Sequence, residues 1–316
     1  MRHRLPLLAS VAAGLLASAC APDSSNSPNP YLNLVGSSRY ISANRVATTP
    51  GDTLTTKLYA EATGDSTLRR LLITVAYSPR KNPIVYPDPL SNYNPNNFPE
   101  PELVYLDTTL TKKKELAYQF TFNTRTTSGN EQWKFEAFDT QNRSSSRGLR
   151  LTLRNNDSLL AYHRYSVRLQ EPRNSTSRSF LALSSGLPLP GFTVRLKPNA
   201  QQLIDLVYVP TADGKPSIAT LVDKAVKLDS IWRKNPRITR LRQVAAADQG
   251  GFASSISAQS FASIYERGTA ITNTGALAKN QLFAFLTADG KYGLLTVLEI
   301  RQTPIPTLDL QVRIAK

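Results

Sequence analysis

Trp133-Lys134-Phe135-Glu136-Ala137-Phe138-Asp139, the turn Thr140-Gln141-Asn142-Arg143 and the return run Leu149-Arg150-Leu151-Thr152-Leu153 decide the fold class of this chain. Trp133, Phe135 and Ala137 alternate with Lys134 and Glu136, and Leu149, Leu151 and Leu153 alternate with Arg150 and Thr152. A period of two places the apolar side chains on one face of a strand and the charged ones on the other. Two such runs joined through a polar turn read as a hairpin. The alternation recurs at Leu54, Leu58, Ala60 and Ala62, at Leu71, Ile73, Val75 and Tyr77, and at Leu116, Tyr118, Phe120 and Phe122. Pro50-Gly51 and Ser128-Gly129-Asn130 separate these runs, and no amphipathic helix interrupts them. The pattern predicts a small β-sandwich over residues 35–155.

The second half, residues 156–316, mixes periods. Tyr162 to Leu169 alternates, as do Phe192, Val194 and Leu196, and Leu203 to Val209 is apolar except for Asp205. Leu221, Ala225, Leu228 and Trp232 recur at helical spacing, and Phe261, Ile264 and Tyr265 mark another helical turn. Strands return at Leu282 to Leu286, Tyr292 to Ile300 and Leu308 to Ile314. Ala288-Asp289-Gly290-Lys291 is a hairpin signal, because Asp-Gly accommodates positive φ. The expectation is a mainly β chain: a sandwich followed by an α+β domain whose sheet is mostly antiparallel.

At the start, Arg2 and Arg4 precede an apolar stretch from Leu5 to Leu16 and the sequence Leu16-Ala17-Ser18-Ala19-Cys20. The stretch is shorter than the ~20 apolar residues a membrane span needs, so it reads as a secretory signal peptide. Cys20 is the only cysteine, which rules out an intramolecular disulfide. Such signals resemble the bacterial lipobox. That resemblance implies a signal over residues 1–19, a lipidated Cys20 and a Pro-rich tether over residues 20–34, with the protein held by its lipid in the cell envelope, in the outer membrane.

Two further resemblances follow. The 133–153 hairpin resembles the final hairpin of bacterial immunoglobulin-like domains, and Pro50-Gly51-Asp52-Thr53-Leu54 resembles their second strand. Ile204-Asp205-Leu206-Val207-Tyr208, Ile231-Trp232-Arg233-Lys234-Asn235 and Thr287-Ala288-Asp289-Gly290-Lys291-Tyr292-Gly293-Leu294-Leu295 are similar to stretches in a group of Bacteroidetes cell-surface lipoproteins of unknown function. That layout implies a lipobox, an immunoglobulin-like domain and a mixed domain. It carries no catalytic residues to transfer.

The formal net charge of +15 becomes +13 once Arg2 and Arg4 leave with the signal. Such a surface favours anionic partners, and charge alone does not separate lipid headgroups, acidic glycans and nucleic acid. For an anchored envelope protein the expected partners are the membrane, an anionic glycan or another envelope protein, and nucleic acid is not expected. Arg233, Lys234, Arg237, Arg240 and Arg242 lie beside Trp232; guanidinium groups fork onto phosphate, sulfate or carboxylate, and an indole stacks on a sugar. Trp232 equally continues the Leu221/Ala225/Leu228 face into a core. The Pro-rich loop Arg80–Pro101 adds Tyr86, Tyr93 and Phe98, read either as an edge insertion or as a binding loop.

Support for catalysis is thin. Beyond the signal only His163 remains, on a strand face with Tyr165, Val167 and Leu169, where it reads as a buried, hydrogen-bonded histidine. There is no Gly-x-Ser-x-Gly elbow, no HExxH and no phosphate loop around Gly250-Gly251. Asp205 interrupts an apolar strand and must be paired if buried. A salt bridge to a basic strand neighbour is its structural reading, and the acid of a carbohydrate-active hydrolase its catalytic one. The expectation is a non-enzymatic protein without metal or cofactor, binding or scaffolding in the envelope. Recognition of an anionic glycan is the first alternative and a hydrolase the second.

Overall fold

The computed structural model describes residues 28–80, 89, 101–154, 160–195 and 197–316. Cys20, Tyr86, Tyr93, Phe98 and the boundary placed between residues 155 and 156 lie outside the described residues. Eight strands form the first half: β1 Tyr31–Leu34, β2 Arg45–Ala47, β3 Thr53–Glu61, β4 Leu68–Pro79, β5 Leu103–Lys113, β6 Glu115–Asn123, β7 Gly129–Asp139 and β8 Ser144–Leu153. They make a three-stranded sheet, β1-β3-β6, and a five-stranded sheet, β2-β8-β7-β4-β5. Pairing is antiparallel throughout except between β2 and β8. The alternating residues face inward as expected: Leu58, Phe122, Ile73, Phe135 and Leu151 are fully buried between the sheets. Aromatic rings fill the middle, with Phe122 and Trp133 centroids 4.1 Å apart and Tyr105 edge-on to Trp133 at 5.1 Å. The tether expected to reach residue 34 is shorter, because Leu32 and Leu34 are buried in β1 against β3.

The second half contains β9 Tyr162–Gln170, β10 Arg178–Ala182, β11 Leu187–Pro190, α1 Gly191–Val194, α2 Pro198–Gln201, β12 Leu206–Pro210, β13 Pro216–Thr220, α3 Ser230–Lys234 and β14 Arg240–Gln243. After a 3-10 segment, Ala246–Phe252, come α4 Ala258–Arg267, β15 Thr269–Ile271, β16 Leu282–Leu286, β17 Tyr292–Arg301 and β18 Thr307–Ala315. Two antiparallel sheets result, β11-β10-β12-β13 and β15-β14-β16-β17-β18-β9. The chain is therefore mainly β, and among the described residues its few helices lie in the second half.

The four-stranded sheet is buried on both faces. Ala182, Leu187, Leu189 and Val207 belong to one hydrophobic cluster with the sandwich interior. Leu181, Leu206, Tyr208 and Ile218 belong to a second cluster with the six-stranded sheet. On the far side of the six-stranded sheet, α4 buries Phe261, Ile264 and Tyr265 against Leu282, Ala284 and Leu294. Ser257 caps that helix in a capping box with Ser260, which fixes its start.

Two local expectations are corrected. No helix covers residues 221–229. The Asp223 carboxylate accepts the Ala225 N–H at 2.9 Å and the Thr272 hydroxyl at 2.6 Å, so a side-chain turn competes with the helical ladder. Helix α3 starts only where Asp229 accepts the N–H groups of Ile231 and Trp232. Phe192 and Val194 lie in the single turn α1 rather than in a strand, with the Thr193 hydroxyl donating to the Tyr105 carbonyl at 2.7 Å.

The hairpin that set the fold class closes on Asp139, fully buried, whose carboxylate accepts the N–H groups of Gln141 and Arg143 at 2.9 Å each and the Arg143 Nε at 2.8 Å. Asn142, at φ 62°, supplies the left-handed residue of the turn. Burial alone would raise the Asp139 pKa, but the Arg143 guanidinium and the two backbone donors together hold it below the ordinary carboxylate range. Asp139→Ala, which strands the Arg143 guanidinium, is expected to cost about 3 kcal/mol in urea unfolding. Because the folded pKa is the lower one, the Asp139 contribution is present above the ordinary carboxylate range and is lost as pH falls through the folded value. The wild type should therefore lose more stability than Asp139→Asn between neutral and acid pH, and equal losses would refute this assignment.

Candidate functional site

The β6–β7 loop meets the second half of the chain at its buried residues Arg125 and Thr126. The Thr126 N–H and hydroxyl both donate to the Ser185 carbonyl at 2.9 Å, and Thr126 Oγ1 lies 2.8 Å from His163 Nε2. With the hydroxyl proton directed at Ser185, His163 Nε2 is the donor to Thr126. This close approach requires Gly186, at φ +63°, because a Cβ there would run into the Thr126 side chain. Beside it, Arg125 stacks over the Tyr77 ring at 4.3 Å, and Tyr77 donates its hydroxyl proton to the Ser128 carbonyl at 2.9 Å. Glu131 accepts the Arg125 N–H at 2.9 Å and the Trp133 indole N–H at 3.0 Å. The loop is thus held from inside the sandwich and from the second half together.

At this junction lies a cleft of about 790 Å³. Its sandwich wall carries Arg80 at the end of β4, Arg125 and Arg154 just after β8. Its opposite wall carries Arg237, Lys291 and Lys316 together with His163 and the turn residues Ser184 and Ser185. Asp289 is the one side-chain carboxylate among the described lining residues. The Ser184 and Ser185 hydroxyl oxygens are buried and have no hydrogen-bond partner among the described residues.

Arg237 organises the second wall. Its Nε donates to the Asp205 Oδ1 at 2.8 Å, and its other two nitrogens fork onto Asp289, one of them at 3.0 Å. Asp205, 1% exposed, also accepts the Leu183 N–H at 2.8 Å and the Thr239 hydroxyl at 2.6 Å. Asp205 is therefore salt-bridged, but its partner is Arg237 on the loop before β14 and not a basic strand neighbour as expected. Burial raises the Asp205 pKa against the pull of Arg237, Thr239 and Leu183. Burial also works to lower the Arg237 pKa, but Asp289 and Asp205 together keep it above its ordinary value. The exposed Asp289 is held below the carboxylate range by the Arg237 hydrogen bonds.

The basic run expected to act as one patch is divided by this geometry. Trp232 is 3% exposed and packs on Phe180 at 5.8 Å, so it belongs to the core and does not stack a ligand. Arg233 and Lys234 are exposed at the end of α3, with Arg233 reaching back to the Leu228 carbonyl at 3.2 Å. Arg237 turns into the cleft. Arg240 and Arg242 line a separate groove with Tyr265 and Thr272, where Arg242 stacks on Tyr265 at 4.5 Å and donates to the Gly268 carbonyl at 2.9 Å. The division follows from the chain path: Arg233 and Lys234 end α3, Arg237 lies on the loop, and Arg240 and Arg242 share one face of β14. The sequence reading missed Arg80, Arg125, Arg154 and Lys291, which lie far apart in the chain. A usable signal was Ser184-Ser185-Gly186, a polar turn inside an otherwise apolar stretch.

Because Arg237 balances a buried carboxylate, Arg237→Ala is expected to cost about 3–5 kcal/mol in chemical unfolding. The double variant Arg237→Ala/Asp205→Ala should lose clearly less than the two single losses added together, and strict additivity would show that the pair is not coupled. No family model matches the chain, and no curated protein matches it. Among solved structures, the chain is similar to a DUF4466 family protein from Parabacteroides merdae, at 10% identity and a TM-score of 0.39, covering 92% of this chain and 99% of that one. It is also similar to Spo0M, a sporulation control protein from Bacillus subtilis, at 11% identity and a TM-score of 0.26, covering 60% of this chain and 78% of that one.

Proposed function

We propose that this chain is a lipid-anchored protein of a bacterial cell envelope, in the outer membrane, that binds or scaffolds rather than catalyses. The anchor rests on Arg2 and Arg4, the short apolar stretch and the small residues before Cys20. The strand orders β1-β3-β6 and β2-β8-β7-β4-β5 support the immunoglobulin-like reading of the first half.

The observation that carries the binding role is the cleft between the sandwich and the second half. Its volume falls within the roughly 300–1,000 Å³ of small-molecule sites. Its groups are committed to holding rather than to proton transfer: Asp289 is forked by Arg237, and His163 is bonded to Thr126. Asp205, the carboxylate a hydrolase would need, is enclosed by Arg237, Thr239 and Leu183 and does not line the cleft.

Cell fractionation tests the anchor. Wild type should sediment with membranes and resist a high-salt wash, whereas Cys20→Ala should be released to the soluble fraction. A Cys20→Ala chain that remains as membrane-bound as wild type removes the lipid from the proposal.

A further inference from the structure

We infer that the cleft is a recognition site for a compact anionic saccharide, and that the Asp289 carboxylate holds the place of the ligand's anionic group on Arg237. This rests on the reading of the cleft as the binding site. Arg237 is fixed from behind by the buried Asp205, so its outward nitrogens keep their direction whatever lies in front of them. What lies in front is Asp289, on the Asp-Gly hairpin tip, with a side chain 52% exposed. A bidentate carboxylate at the mouth of a basic cleft has the geometry an incoming carboxylate or sulfate would adopt. The side chain that occupies that position is half exposed at a hairpin tip, so water can solvate it when a ligand takes its place on Arg237.

Arg80 and Arg154 line the sandwich wall of the same cleft, and Lys291 follows Asp289 two residues on in the hairpin. A ligand with two anionic groups can therefore meet a cation on each side. The neutral part of the cleft points to a hydroxylated ligand. Ser184 and Ser185 have buried hydroxyls without partners among the described residues, Ser185 being 8% exposed, and Gln202 also lines the cleft. Buried polar groups left unpaired are costly unless a ligand or water satisfies them. The trap for the anion is one element and the hydroxyl pair another, and a sugar acid presents both kinds of group.

The test is calorimetric titration of the full mature chain in neutral detergent with three probes: a sulfated heparin disaccharide, digalacturonate and neutral maltose. Saturable binding of at least one anionic disaccharide, with maltose inert, is expected. The two anionic probes distinguish a sulfate from a carboxylate source. Asp289→Asn should tighten binding about tenfold, since the internal competitor is gone. Lys291→Ala and Arg154→Ala should each weaken it by about tenfold, and Arg233→Ala/Lys234→Ala, outside the cleft, should leave it unchanged.

Asp289→Asn that weakens binding or leaves it unchanged overturns the placeholder role. Maltose binding as tightly as the acidic sugars, with Lys291→Ala and Arg154→Ala still weakening it, overturns the anionic class and leaves the cleft as a binding site. No binding of any probe, or binding lost only in Arg233→Ala/Lys234→Ala, overturns both. Circular dichroism and the urea midpoint of each variant separate loss of binding from loss of fold.

Discussion

A sheet buried on both faces has no solvent side on which to place polar residues, and β10–β13 is in that position. Every residue of β11 and β13 is buried, and β12 reads Leu-Val-Tyr-Val-Pro. The two halves of the chain are joined through this layer, so burial of apolar surface rather than a covalent staple holds them together. Besides the buried hydroxyls of Ser179, Ser217 and Thr220, the carboxylate of Asp205, just before β12, is tolerated because Arg237, Thr239 and Leu183 satisfy it. Those three partners come from a turn, a loop and a strand margin, and their convergence places the second wall of the cleft.

The sandwich was largely legible because its signal is local. Period-two alternation at 54–62, 71–77, 116–122, 133–137 and 149–153 needs no knowledge of neighbours, and each run became a strand. The Asp-Gly hairpin and the helix of Phe261, Ile264 and Tyr265 were legible for the same reason. The spacing of Leu221, Ala225, Leu228 and Trp232 misleads: Leu221, Leu228 and Trp232 are buried and Ala225 is exposed, and the path is one of turns until α3 begins at Ser230. Periodicity reports which residues are inside and does not report the backbone between them when Asp223 offers a competing turn.

The site was far less legible. Its walls are assembled from strand ends and loops separated by up to most of the chain, and no spacing rule connects Arg80 with Lys291. The basic run at 233–242 draws attention because its charges are adjacent in sequence, yet it passes from the end of α3 through a loop into β14, and each element sends its side chains in a different direction. Asp205 was legible as a residue requiring a partner, and the identity of that partner was a tertiary fact.

Strand β9 pairs along its whole length with β18, so residues 162–170 wait for residues 307–315 before their edge is covered. The sandwich strands, by contrast, find their sheet partners by residue 153. A chain emerging from its amino end can therefore pair the strands of the first half while β9 still presents unsatisfied backbone donors and acceptors. Closing so long a loop carries an entropic cost that the local pairings β16–β17 and β17–β18 do not. The exposed face of β9 carries Arg164 and Arg168 in alternation, and charges of one sign along an unpaired edge discourage premature pairing with a second copy.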